Sequence, residues 1–166
     1  MDWNDHGVNL EATIEYVKQV QEAIAQPVTV AENVQWWVEF GQALASIVDF
    51  LAVHSYPVWI GANIKAAMSI TKAEMEMAFE VFPNRQIILA EAGWATVSRE
   101  FGERAGEPQQ KRYFTELMSW AEQTGTTVLF FEAFDEPWKG AAGDSDGAEK
   151  HWGLFDESRK PKLAMG

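Results

Sequence analysis

The stretch QIILAEAGWAT sets a glutamate, Glu91, directly after four apolar residues and just before a small-residue turn that carries Trp94. An acid at the mouth of a buried apolar run costs on the order of several kcal/mol unless it is paired or used. The same arrangement recurs along the chain. Glu32-Asn33 follows Val28-Thr29-Val30-Ala31, His54-Ser55-Tyr56 follows Phe50-Leu51-Ala52-Val53, and Glu132 through Asp135-Glu136 follows Val128-Leu129-Phe130-Phe131. Glutamates repeated at run ends, with tyrosine and tryptophan beside them, fit cleavage of glycosidic bonds. That reaction needs one carboxyl to protonate the leaving oxygen and another to attack or stabilise the sugar, while aromatic faces stack on the apolar faces of pyranose rings.

Other chemistries fit less well. Neither a Gly-x-Ser-x-Gly elbow nor a cysteine is present, which argues against acyl transfer. His6, His54 and His151 are scattered, with no His-Glu-x-x-His pair for a hydrolytic metal. Asp144-Ser145-Asp146-Gly147 has the beginning of a calcium-loop pattern but lacks the remaining ligand positions, so Lys139 to Lys150 reads as a polar loop. No metal and no cofactor is expected. Twenty-five acidic against thirteen basic side chains give a formal charge of -12, which repels a phosphate backbone and makes nucleic acid an unsuitable partner. The apolar runs are far too short to span a membrane, and the polar, acidic start MDWNDHGVNLEAT does not read as a signal peptide, so localisation is left open, cytoplasmic by default or that of a fragment of an exported or membrane-associated protein.

The residues that could do chemistry need elements to hold them. Leu10, Ile14, Val17, Val20 and Ile24 recur at helical spacing behind Asn9, a residue suited to an N-cap. A strand is expected at 28–32, a helix at 34–46, a strand at 49–54 and a helix at 71–82. A strand at 86–91 follows, then a helix opened by Pro108 and closed by Gly125, and a strand at 126–132. Strands that are apolar through most of their length and alternate with helices imply an α/β fold with a parallel sheet flanked by helices. Such sheets place their sites at the carboxyl ends of the strands, where all four acid-rich or aromatic clusters fall. Trp36, Trp37 and Trp120 are expected to pack helices against the sheet.

The segments VTVAEN, VDFLAVHSYPVW, IILAEAGWAT and LFFEAFDEPWKG, with the later HWGLF, resemble the C-terminal half of glycoside hydrolase family 17, the β-1,3-glucanases and related glucan transferases. The resemblance runs over nearly the whole chain. It implies a parallel (βα)4 half of a TIM-type (β/α)8 barrel, a single half-barrel domain over 1–166 whose strands correspond to five through eight of the full barrel. It also implies a retaining mechanism on β-1,3-glucan-type polysaccharide, with Glu91 matching the nucleophile. Glu136 and Lys139 match a cleft acid and lysine that contact sugar hydroxyls and neighbouring carboxylates. Tyr56 and Trp59 match aromatic cleft positions, Glu32 matches the acid after strand five, and Trp94 is expected beside the sugar.

His54 stays open between a structural histidine and a sugar contact, and Glu132 between orienting its neighbours and touching substrate. The family's general acid/base belongs to a Gly-Asn-Glu motif at the end of strand four, and no such triplet occurs here. Two arrangements could supply it: a homodimer that brings Glu132 or Glu136 of the partner copy near Glu91, or a complementary half-barrel. The alternative function is a non-catalytic carbohydrate-binding half-barrel.

Overall fold

Asn9, Asn33 and Asn63 each stand immediately before a helix, and each side-chain oxygen accepts a backbone N–H of the first turn, from Ala12, Trp36 and Lys65 at 2.7, 2.8 and 2.9 Å. An N-cap of this kind satisfies a donor that the helix itself cannot, and is worth about 1 kcal/mol. The helices so opened are α1 (Leu10–Ala23), α2 (Val34–Glu39) and, past a short α3 (Gln42–Ala45), α4 (Ile64–Val81). The last, α5 (Glu107–Thr124), has Pro108 in its first turn and ends on Gly125 in the left-handed region. The computed structural model describes residues 9–166. The acidic N-terminal residues and His6 therefore lie outside the described part.

Four strands, β1 (Ala31–Asn33), β2 (Leu51–Ser55), β3 (Ile87–Ala92) and β4 (Val128–Phe130), form one sheet in the order of the sequence, every neighbouring pair parallel. A helix connects each strand to the next, as parallel pairing requires. The fold is thus α/β, as expected. Register places Asn33 opposite His54 and His54 opposite Glu91, with an irregularity between Val53 and His54. That offset brings the polar ends of three neighbouring strands side by side.

Several boundaries differ from the sequence expectation. The first strand is shorter than 28–32 and shifted to Ala31–Asn33; Val28 and Thr29 are tied to the lead-in of β2 largely through side chains, Val28 donating its N–H to the Asp49 carboxylate at 2.7 Å while its carbonyl accepts the Asp49 N–H at 2.9 Å, and the Thr29 hydroxyl donating to the Phe50 carbonyl at 2.5 Å. The helix expected over 34–46 is broken at Gly41, where a Cβ would lie 2.6 Å from the Trp37 ring. The helix expected over 71–82 begins earlier, at Ile64, behind the Asn63 cap. Strand β4 is limited to three residues. The chain then leaves the sheet, and Glu132 pairs instead with the segment around Trp152 and Leu154, its carbonyl accepting the Leu154 N–H at 2.9 Å.

Helices cover one face of the sheet. Leu51, Val53, Ile87 and Leu89 are buried together with Val17, Trp37, Met75, Tyr113 and Leu117. Each such side chain removed from water contributes roughly 1.5–3 kcal/mol. Trp37 is fully buried and donates its indole N–H to the Ala52 carbonyl at 3.0 Å, which fixes α2 on β2. Trp36 and Trp120 pack against the same core. The opposite face of the sheet is less covered. By strand alternation Ile88, Ala90 and Leu129 point there, and Leu129 is 55% exposed while its neighbour Phe130 packs edge-on against Phe114 of α5. No helix of the described residues is long and apolar enough to cross a membrane.

Candidate active site

Glu91 reaches the mouth of β3 with its side chain about one-third exposed, at 35%. The Tyr56 hydroxyl donates to Glu91 Oε2 at 2.8 Å, and His54 Nδ1 stands 3.5 Å from the same oxygen. Both come from the end of β2, two residues apart. Burial, and then the charge and hydrogen bond of Glu91, push the Tyr56 phenol far above its ordinary value, so it stays protonated as a donor. Burial lowers His54, and the negative charge of Glu91 opposes that only in part. His54 Nε2 is buried without a hydrogen-bond partner among the described residues. Both polar contacts of Glu91 among the described residues fall on Oε2.

A second cluster follows β4. Lys139 Nζ donates to Glu132 Oε2 at 2.9 Å and also contacts the Glu136 carboxylate. It lies 4.4 Å from the centroid of the Phe131 ring. Burial pushes Glu132 up to about 7, against the lowering effect of its Lys139 hydrogen bond and with a further rise from Glu136. Glu136 is held below its usual range by Lys139. Burial alone would lower the Lys139 ammonium, but its two carboxylate partners outweigh that and raise it. Glu132 Oε1 is buried with no partner among the described residues. The aromatic ring of Tyr56 meets Phe131 edge-on, with centroids 6.2 Å apart, and so links the Glu91 cluster to the Lys139 cluster.

The aromatic residues divide by exposure. Trp59 is 49% exposed and leans on Phe101 at 4.6 Å. Trp94, expected beside the sugar, is instead fully buried: its indole N–H donates to the Arg104 carbonyl at 2.8 Å and its ring packs against Tyr113. The Gly93-Trp94 turn swings that indole under the strand ends and away from the surface. Trp138, which the sequence reading left aside, is 74% exposed next to Lys139. Glu32 is buried at 7% exposure, and its Oε1 accepts both the backbone and side-chain N–H of Asn33 at 2.8 Å, so it sits at the strand mouth tied to the α2 cap. Among the described residues no group of three or more His, Asp or Glu converges as a metal site. Asp144, in the loop with the calcium-like start, receives both terminal nitrogens of Arg99, at 2.9 and 2.7 Å.

Residues 3–153 match the BtgE/BtgC glycoside hydrolase domain. The chain belongs to the BtgE/BtgC glycoside hydrolase family. This family member is 29% identical over 147 residues to a glucan 1,3-beta-glucosidase of Schizosaccharomyces pombe, covering 84% of the chain and 45% of the relative. It is 29% identical over 132 residues to one of Arthroderma benhamiae, covering 70% of the chain and 42% of the relative. The chain thus spans less than half the length of these curated relatives. In fold it is TIM-barrel-like. It superposes on the family 17 β-1,3-glucanosyltransferase of Rhizomucor miehei, solved as an active-site mutant with laminaritriose, with a TM-score of 0.84 at 22% identity, covering 97% of the chain and 59% of that structure. An endo-laminarinase from Formosa gives a TM-score of 0.76 at 24% identity over 92% of the chain and 50% of that structure.

Two supports of these clusters in the BtgE/BtgC domain escaped the sequence reading. Trp152 is 1% exposed and touches Tyr56, Phe131, Phe101 and Trp59, forming the floor that aligns them. Its only sequence signal is its place in HWGLF. Behind β2, the Ser55 hydroxyl donates to buried Glu74 at 2.6 Å and contacts Thr71 at 3.0 Å, while Thr71 meets the Tyr113 hydroxyl at 2.8 Å and Gln35 bonds the other Glu74 oxygen at 2.7 Å. This network holds Ser55, the residue between His54 and Tyr56. Glu74 lies on α4 and leaves no local mark that separates it from the exposed glutamates of the same helix.

Proposed function

We propose that the chain is a β-1,3-glucan-acting glycoside hydrolase unit in which Glu91 is the nucleophile of a retaining mechanism. The observation that carries this reading is that a partly exposed Glu91 stands at the mouth of a parallel sheet with its Oε2 held by Tyr56 and facing His54. Oε1 attacks the anomeric carbon and forms the C–O bond as the glycosidic C–O bond breaks. The leaving oxygen takes a proton from a second carboxylic acid, and water later releases the sugar. Tyr56 stabilises the carboxylate before attack and keeps its proton throughout. Trp59 and Trp138 offer exposed faces for sugar rings, and Glu136 with Lys139 offers acceptors and donors for hydroxyls.

The proton donor comes from outside these residues. A retaining pair stands roughly 5 to 5.5 Å apart, and Glu132, the raised carboxyl, has its charge taken up by Lys139. The family names of the relatives support β-1,3-glucan as the polymer. In this reading the four strands are the second half of a barrel, and a second copy or a complementary half brings the acid. The exposed indoles favour one alternative, a carbohydrate-binding half-barrel without turnover.

A donor with a good leaving group, which needs no general acid, tests the nucleophile directly. Glu91→Gly should be inactive on dinitrophenyl β-laminaribioside, and azide should restore turnover with the α-glycosyl azide as product. Wild-type turnover by the variant without azide, or a β-azide product, would refute the assignment.

A further inference from the structure

Helices α4 and α5 follow the two inner strands, β2 and β3, and pack on one another with a groove of about 330 Å³ between them. Small-molecule clefts begin at roughly 300 Å³. Met68 and Lys72 line the groove from α4, and Glu116, Ser119, Trp120 and Gln123 line it from α5. The α5 residues are spaced by three and four, so they form one stripe along the helix. Trp120 interrupts a stripe that is otherwise polar. It packs on the core and lines the groove as well, and buried Met68 adds apolar surface from the other helix.

The polar side chains around this apolar floor keep hydrogen-bonding capacity. Ser119 Oγ accepts the Gln123 side-chain N–H at 3.0 Å, and a hydroxyl that accepts one bond still has a proton to donate. Glu116 Oε1 accepts the Arg112 Nε–H at 2.8 Å, and a carboxylate has further acceptor sites on its two oxygens. Lys72 is exposed and brings an ammonium donor. An indole ringed by donors and acceptors matches a pyranose, which has an apolar C–H face and hydroxyls that both donate and accept. An ion matches less well. Lys72 and Glu116 offer opposite charges, and an anion would also meet the formal charge of -12.

We infer that the groove between α4 and α5 is a second saccharide site, separate from the Glu91 cluster, which holds a segment of β-1,3-glucan on the helical face of the domain. That the saccharide is β-1,3-glucan rests on the function proposed above. Glu91 stands at the carboxyl end of β3, whereas the groove is lined by helix side chains alone. A polymer that reaches both sites is held twice, and linked contacts raise retention with no new contact at Glu91. A donor of two sugars reports on the Glu91 site alone.

Co-sedimentation with insoluble β-1,3-glucan (curdlan) tests the second site. The wild type should be retained, and Trp120→Ala should lower retention about tenfold. Because Trp120 also packs on the core, Ser119→Arg is the companion variant. It fills the groove from an exposed position, so it should keep the wild-type Tm, lower retention to a similar degree and turn over dinitrophenyl β-laminaribioside at the wild-type rate. If no form turns over that donor, the role of Glu91 fails while curdlan retention still decides the groove. Retention of Ser119→Arg equal to that of the wild type, or no retention of the wild type, would overturn the second site. So would a parallel loss of donor turnover in folded Ser119→Arg, because the groove would then not be separate from the Glu91 site.

Discussion

Oε2 of Glu91 is addressed from β2 by a phenol and an imidazole, and the phenol is the stronger partner because it is closer and firmly protonated. A hydrogen bond to a charged group contributes roughly 1.5–3 kcal/mol. Tyr56→Phe keeps the ring on Phe131 and Trp152 but removes this donor. It should slow glycosylation by an activated laminaribioside about tenfold to a hundredfold, measured as the pre-steady-state release of the leaving group, with little change in Tm. Glu132 supplies a pH signature. Its pKa is raised from 4.5 to about 7 on folding, so between these values the native state binds more protons than the unfolded chain and stability falls as pH rises. Glu136 runs the other way: lowered by Lys139, it adds stability present at higher pH and lost as pH falls through its folded value. In thermal melts of Glu132→Gln against wild type from about pH 5 to about pH 7.5, the wild type should lose more stability than the variant as the pH rises, an effect softened by solvent screening.

The elements that position these residues are set by close backbone approach as much as by strand propensity. A Cβ on Gly93 would fall 2.1 Å from the Phe131 carbonyl oxygen and 3.2 Å from the Trp152 ring. The end of β3 therefore touches the end of β4 only because residue 93 has no side chain. Gly93→Ala should destabilise the protein by roughly 1–3 kcal/mol, seen as a lower urea midpoint, and should weaken laminaritriose binding by spreading the two clusters. The alternation of strand and helix was legible in the sequence because β2 and β3 are apolar over the residues that meet the helices, as Leu51-Ala52-Val53 and Ile87-Ile88-Leu89 show. The ends were less legible. Val28 and Thr29 look like strand residues yet are tied by Asp49 and the Phe50 carbonyl, contacts twenty-one residues away. The Gly41 break depends on the Trp37 ring, which local propensity does not describe.

At the scale of the whole molecule, the acids at strand ends were readable because a parallel sheet presents those ends together, and the structure brings Glu91 to His54 and Tyr56 as well as Glu132 to Glu136 and Lys139. Which indole faces solvent was not readable. Trp94 and Trp59 both stand in turns after strands, yet one is fully buried and the other half-exposed, a difference set by packing with Tyr113 and Arg104 from distant segments. Exposure on the sheet is likewise set by packing: the helices protect one face, while Leu129 on the other is half-exposed. The nucleophilic role proposed for Glu91 can be tested without a proton donor if the leaving group needs no proton. A β-laminaribiosyl fluoride that also carries fluorine at the carbon beside the anomeric centre forms a slow-turning glycosyl adduct on a retaining nucleophile. Mass spectrometry of the digested protein should find one glycosyl group per chain, on the peptide that contains Glu91. An adduct on another carboxylate, or no adduct at any time of incubation, would contradict the account.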